Sequence, residues 1–137
     1  MIHSFSFAAT SETGLVRKNN QDAFAVGEDI GLVVVADGMG GHRAGEVASR
    51  IAVETVHQVL ARENRDEQGN EMQTLLKLGA AVEKANEAIR LKAEYEPDMQ
   101  GMGTTIVAVL FRLKRVFVAH VGDSRLYRIR DGQIQQV

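Results

Sequence analysis

Three aspartates, Asp22, Asp37 and Asp123, stand where apolar runs meet polar loops. Carboxylates so placed suit hard divalent cations such as magnesium or manganese, which take oxygen ligands and retain several waters. Asp37 lies in "VVVADGMGGH" (33–42), where an apolar run ends in a carboxylate and is followed by glycines, a histidine and a helix-like pattern. Such a strand, glycine loop and helix start usually marks a phosphate cradle. A bare carboxylate repels phosphate unless a cation lies between them. Asp37 therefore argues for a metal, with the glycines letting the chain turn sharply and expose carbonyls to the ion. Taken alone, the loop fits a tight turn with a helix-flanking aspartate equally well.

Nucleotide cradles fit less well. The dinucleotide fingerprint needs a third glycine where Arg43 stands, and the phosphate-loop signature needs a Gly-Lys-Ser/Thr that is absent. In "RKNNQD" (17–22), Arg17 could grip two phosphate oxygens at once; alone, it reads as a surface arginine. In "VGDSR" (121–125), Asp123 again follows an apolar strand and a glycine, and alone it reads as a turn residue. "GMGTT" (101–105) is a flexible approach to a strand. His3, His42, His57 and His120 form no His-x-x-x-His zinc pattern.

The elements that must position these groups follow from periodicity. "SFSFAAT" (4–10) alternates and predicts a strand. "DAFAVGEDIGLVVVAD" (22–37) predicts two strands around a turn at Gly27–Gly31, with Val33, Val34 and Val35 suiting a strand buried on both faces. Val47, Ala48, Ile51, Ala52, Val56, Val59 and Leu60 recur at helical spacing. A polar loop, "ENRDEQGN" (63–70), comes next. Asn70 and Gln73 have the spacing of a capping box, and Leu75, Leu78, Val82, Ala85 and Ile89 mark a second amphipathic helix before Pro97. "TTIVAVLF", "RVFVAHVG" and "RLYRIR" predict three further strands, with Asp131-Gly132 as a hairpin turn. Hairpin-linked strands around two helices predict an α+β fold of antiparallel sheets with helices on a sheet face.

The whole chain excludes other classes. It has 137 residues and a net charge of −2, which leaves no electrostatic footprint for nucleic acid or an anionic membrane. No apolar run approaches the roughly 20 residues of a membrane span. "MIHSFSFAAT" has neither the basic nor the long apolar region of a signal peptide. Cysteine is absent, which removes disulfides and thiolate sites and fits a reducing cytoplasm. With one proline and no repeat or linker, residues 1–137 read as a single domain. Because Val137 lies inside the arm returning from Asp131-Gly132, that domain is expected to be truncated.

Together, "GLVRKNNQDAF", "VVVADGMGGHRAGEVAS", "GMGTTIVAVL" and "AHVGDSRLYRIRDG" resemble, in order and spacing, the metal-dependent protein serine/threonine phosphatases of the type 2C (PPM) family, bacterial type. The resemblance covers essentially the whole chain and implies the N-terminal portion of a four-layer α-β-β-α sandwich. It implies hydrolysis of phosphoserine and phosphothreonine by water activated at two Mn2+ or Mg2+ ions. Asp37 would bridge both ions, Gly38 would offer its carbonyl, and Asp22 with Gln21 would fill the acidic pair position, where many relatives carry glutamate in place of Gln21. Asp123 matches an additional, weaker metal site, Arg17 the phosphate-binding arginine, and His42 lies near a histidine proposed as general acid.

The implied partners are a phosphoprotein substrate and an opposing serine/threonine kinase. The family's two further metal-binding aspartates belong to a C-terminal half beyond these residues. A catalytically inactive fragment or a non-catalytic signalling module is therefore the competing expectation, with self-association of exposed sheet surfaces.

Overall fold

In "LVVVADGM" the side chains at 32, 34 and 36 must face one way and those at 33, 35 and 37 the other. The computed structural model describes residues 5–63, 70–112 and 114–137. In it this segment is β2 (Leu32–Met39), antiparallel to β1 (Asp22–Gly27) across a short turn that ends at left-handed Gly31. β4 (Ile106–Arg112) pairs with the other side of β2, and β5 (Arg115–Val121) with β4, both antiparallel. The sheet order is β1-β2-β4-β5, with the two-residue β3 (Gly103–Thr104) paired to the end of β2.

Two helices cover one face of this sheet. α1 (Ala44–Glu63) and α2 (Glu71–Tyr95) seal a core with Leu32, Val34 and Ala36 of β2 and Ile106, Ala108 and Leu110 of β4. Burying Leu32, Val34 or Leu110 in full stabilises the fold by about 1.5–3 kcal/mol each. The helices approach closely because alanines recur four residues apart, Ala44, Ala48 and Ala52 on α1 and Ala81 and Ala85 on α2, each no more than 2% exposed. The expected capping box starts α2: the Asn70 side chain accepts from the Gln73 N–H, and the Gln73 side chain accepts from the Asn70 N–H. Pro97 follows the helix as expected.

The opposite face carries Phe24, Val33, Val35, Val107 and Val109, with Val35 45% exposed. The expectation that Val33–Val35 is buried on both faces is thus corrected. The Val34 side carries the helical layer, whereas the other side is covered only in part: Val107 and Val109 are buried, but Phe24 and Val35 are exposed. The predicted strand over residues 4–10 is not formed by its described residues 5–10, which are irregular. Phe5 and Phe7 instead lay their rings on Phe111, with centroids 4.9 and 5.9 Å away.

"TTIVAVLF" is broken at Thr105 into β3 and β4. Leu75, placed on the apolar stripe of α2, is 48% exposed. β6 (Tyr127–Arg130) starts two residues later than "RLYRIR" suggested and pairs with β7 (Gln133–Gln136). Their turn has φ of 52° at Asp131 and 73° at Gly132, the double positive φ that favours Asp-Gly. The polar loop expected over 63–70 lies mostly outside the described residues. The observed architecture is α+β, with one helical layer on one sheet and a separate β6–β7 ribbon.

Candidate metal centre

Antiparallel register brings two of the three aspartates together. Asp22, the first residue of β1, pairs directly with Asp37 near the end of β2. Alternation puts both on the sheet face away from the helices, at one end of the row of apolar side chains. Partial burial, the neighbouring charge of Asp37 and a hydrogen bond between the two carboxyl groups, in that order, hold Asp22 above the usual carboxylate range.

The backbone of Asp37 is fixed from the β4 side. Its N–H donates to Thr105 Oγ1 at 3.0 Å, and its carbonyl accepts from the Thr105 N–H at 2.9 Å. The Thr105 hydroxyl also meets the Ser124 hydroxyl, which ties the loop carrying Asp123 to the same strand end. The strand breaks here because only half of the ladder pair forms: the Thr105 N–H meets Asp37 in register, but the Asp37 N–H goes to the Thr105 hydroxyl, and the Thr105 carbonyl accepts from the Thr104 hydroxyl. Its signal was the hydroxyl pair in "GMGTT", which sequence reasoning took for a plain approach to the strand.

The glycine loop is fixed from the other side. The Gly38 N–H donates to the Gln21 carbonyl at 3.0 Å, and Gln21 Nε2 donates to the carbonyls of Gly40 and His42 at 3.2 and 3.3 Å. Gly38 runs against the first turn of α1 so closely that a Cβ there would lie 1.9 Å from the Gly45 carbonyl oxygen. Sequence reasoning missed Gly45. Gly40 has φ of 153° and His42, not a glycine, has φ of 53°, so the turn needs conformations that side chains resist.

The remaining expected residues are exposed. Arg17 sits in an exposed segment beside Leu15 and Val16, and its guanidinium makes no ion pair or hydrogen bond among the described residues. His42 is exposed, with its main-chain oxygen held by Gln21. Asp123 is exposed after β5. Among the described residues no three His, Asp or Glu side chains gather around one ion position, so Asp123 does not extend the Asp22–Asp37 pair into a three-carboxylate site.

Two carboxylates forced together by strand register, one of them resisting ionisation, create the electrostatic condition that a divalent cation relieves. The donor set of two carboxylates beside the Gly38 backbone is all oxygen and fits a hard cation that keeps waters in its remaining positions. A groove of about 770 Å3 opens on the helix side of the sheet, between α2 and β3, lined by Met39, Val82, Ile89, Met102 and Gly103 among others; the carboxylate pair, on the opposite face, does not line it.

The protein phosphatase 2C family model matches residues 16–137, and the chain belongs to that family. The serine/threonine protein phosphatase PstP of Mycobacterium tuberculosis is 47% identical over 131 residues, which cover 96% of this chain and 24% of that protein. The serine/threonine phosphatase stp of Listeria welshimeri is 38% identical, over 93% of this chain and 51% of that protein.

The chain therefore spans a quarter to a half of the length of these relatives. Among solved structures, the Mycobacterium tuberculosis PstP crystal structure superposes with a TM-score of 0.83 at 46% identity, covering 95% of this chain and 52% of that one. A structure of the PstP catalytic domain in complex with two manganese ions matches with the same TM-score and identity, over 95% of this chain and 53% of that one.

Proposed function

We propose that the protein containing this chain hydrolyses phosphoserine and phosphothreonine on other proteins, using two divalent cations, Mn2+ or Mg2+. The observation that carries this reading is the Asp22–Asp37 pair, set in register at a strand end with Asp22 held above the usual carboxylate range. Asp37, Asp22 and the Gly38 carbonyl would hold the cations, with Asp123 serving a further, weaker site. When bound, such ions lower the pKa of water and offset phosphoryl charge.

The chain's own residues do the rest. Thr105 and the Gln21 carbonyl fix the backbone on either side of Asp37, so the carboxylate needs little rearrangement. Arg17 stands in open solvent, where its planar fork can take two oxygens of an incoming phosphoryl group and offset their charge. His42, exposed on the glycine turn, delivers the proton that the departing serine or threonine oxygen requires. A serine/threonine kinase is the opposing partner, and a reducing cytoplasm agrees with the absence of cysteine.

The test is phosphate release from a phosphothreonine peptide, together with calorimetric Mn2+ binding. Turnover should require Mn2+ or Mg2+, and Asp37→Asn should weaken Mn2+ binding at least about tenfold and remove most turnover. Full turnover after exhaustive chelation would refute the proposal. A non-catalytic module is favoured by one observation, the lack of a third carboxylate at the pair among the described residues. Mn2+ binding without phosphate release would select it.

A further inference from the structure

We propose that Gln21 is a positioning residue of the cation site, clamping the glycine turn through its amide rather than ligating an ion. The inference rests on the reading of Asp37 and Gly38 as cation ligands.

Three bonds run from this one residue to the turn. Its carbonyl takes the Gly38 N–H, and its Nε2 donates to the carbonyls of both Gly40 and His42. The other end of the amide is occupied as well. A Cβ built on Gly45 would lie 2.8 Å from both Cδ and Oε1 of Gln21, so the amide is wedged between the first turn of α1 and the loop. Oε1 faces Gly45, while the amide nitrogen is committed to the turn.

The clamp acts where the backbone most needs it. Gly40 and His42 hold φ of 153° and 53°, and each has its carbonyl bound by Nε2. Releasing those carbonyls lets the turn relax toward ordinary φ values. Gly38 and Asp37 lie directly upstream, so a relaxed turn no longer fixes the Gly38 carbonyl relative to the Asp22–Asp37 pair.

A glutamate at this position could not do the same work. Its oxygens would face the Gly40 and His42 carbonyls, acceptor against acceptor, and would be driven out of the wedge. Residue 21 directly precedes Asp22, so a displaced carboxylate could add its charge to the pair. An amide thus holds the turn and leaves the pair at two charges, whereas a carboxylate loosens the turn and supplies a third.

Gln21→Ala and Gln21→Glu separate these effects in the protein that contains this chain. Both variants keep the main-chain carbonyl that holds the Gly38 N–H and lose the two Nε2 bonds, so in metal-free protein hydrogen exchange at the Gly38 and Ala44 amides should speed up about tenfold as the turn loosens. Calorimetric Mn2+ binding should weaken about tenfold in Gln21→Ala and recover in Gln21→Glu. Unchanged exchange in both variants overturns the clamp. Faster exchange with unchanged Mn2+ binding in Gln21→Ala overturns its positioning role, and equal Mn2+ affinity in the two variants overturns the exchange of clamp for charge. Asp37→Asn is the separate check: if it binds Mn2+ normally, the assignment of the cation site fails, while the exchange data still judge the clamp.

Discussion

Replacing Gly38 with alanine should be among the most damaging single-methyl additions available to this chain. The new Cβ would lie 1.9 Å from the Gly45 carbonyl oxygen, 2.5 Å from the Gly45 carbonyl carbon and 2.7 Å from the Gln21 carbonyl oxygen. Ordinary contact begins near 3.4 Å, so β2 and the start of α1 must separate by about 1.5 Å. All three obstructing atoms are backbone, which cannot rotate away as a side chain can. β2 is held between the β1 and β4 ladders, and α1 is seated on the core by Ala44 and Ala48.

Overpacking of this kind costs about 1–3 kcal/mol or more, and losing the bond from the Gly38 N–H to Gln21 adds about 1 kcal/mol. A total of about 2–4 kcal/mol is a large share of the roughly 5–15 kcal/mol that keeps a domain folded. Gly41, three residues on, is the control: a Cβ there meets nothing within 4 Å, and its φ is not positive. Gly41→Ala should be neutral or stabilising by about 0.5 kcal/mol. Urea denaturation of both variants measures the difference. If Gly38→Ala falls within about 1 kcal/mol of Gly41→Ala, the close approach of β2 to α1 is not what the structure shows.

Asp22 gives a pH signature. Its carboxyl holds its proton more tightly in the folded chain than in the unfolded one, so ionising it opposes folding. That penalty is absent below the unfolded value, grows as pH rises toward the folded one, and is complete above it. The stability advantage of Asp22→Asn over the parent in metal-free protein should therefore appear as pH rises from acid toward neutral; an advantage confined to acid would reverse the sign. Thr105→Val keeps the shape but removes the hydroxyl that the Asp37 N–H and Ser124 use, costing about 0.5–1.5 kcal/mol, and a thermal melt unchanged from the parent would contradict that. Asn70→Ala removes the capping box and should cost about 1 kcal/mol in the same melt, with no change in Mn2+ binding.

Local chemistry made much of this fold legible. Asn70 and Gln73 announce the start of α2, Asp131-Gly132 announces a primed turn, and the spacing from Val47 to Leu60 places α1, because each signal acts within a few residues. Asp22 and Asp37 were legible as chemistry but not as neighbours, since only strand register puts them opposite each other. What Thr105 and Gln21 do was not legible, because their partners lie 68 residues away at Asp37 and 19 to 21 residues away at Gly40 and His42. The run Val33–Val35 misled for a related reason: hydrophobicity reports that a face seeks cover, not which residues supply it. Phe5 to Thr10 alternate like a strand, yet the phenylalanines serve as a lid on Phe111.

The alanines that let α1 and α2 approach the sheet have a consequence for mutational surveys of this chain. Ala44, Ala48, Ala81 and Ala108 are sealed between layers. A scan that truncates each residue to alanine passes over these positions in silence, because they already carry the truncated side chain. Their importance shows only under enlargement, where a single added methylene must push a helix off the sheet that carries Asp37. Tolerance across this interface should therefore be lopsided: glycine is accepted at a modest cost in helix propensity, while valine and leucine are rejected. Sequence drift in the layer would be held to the smallest residues by lack of room alone, with no contribution from chemistry at the site.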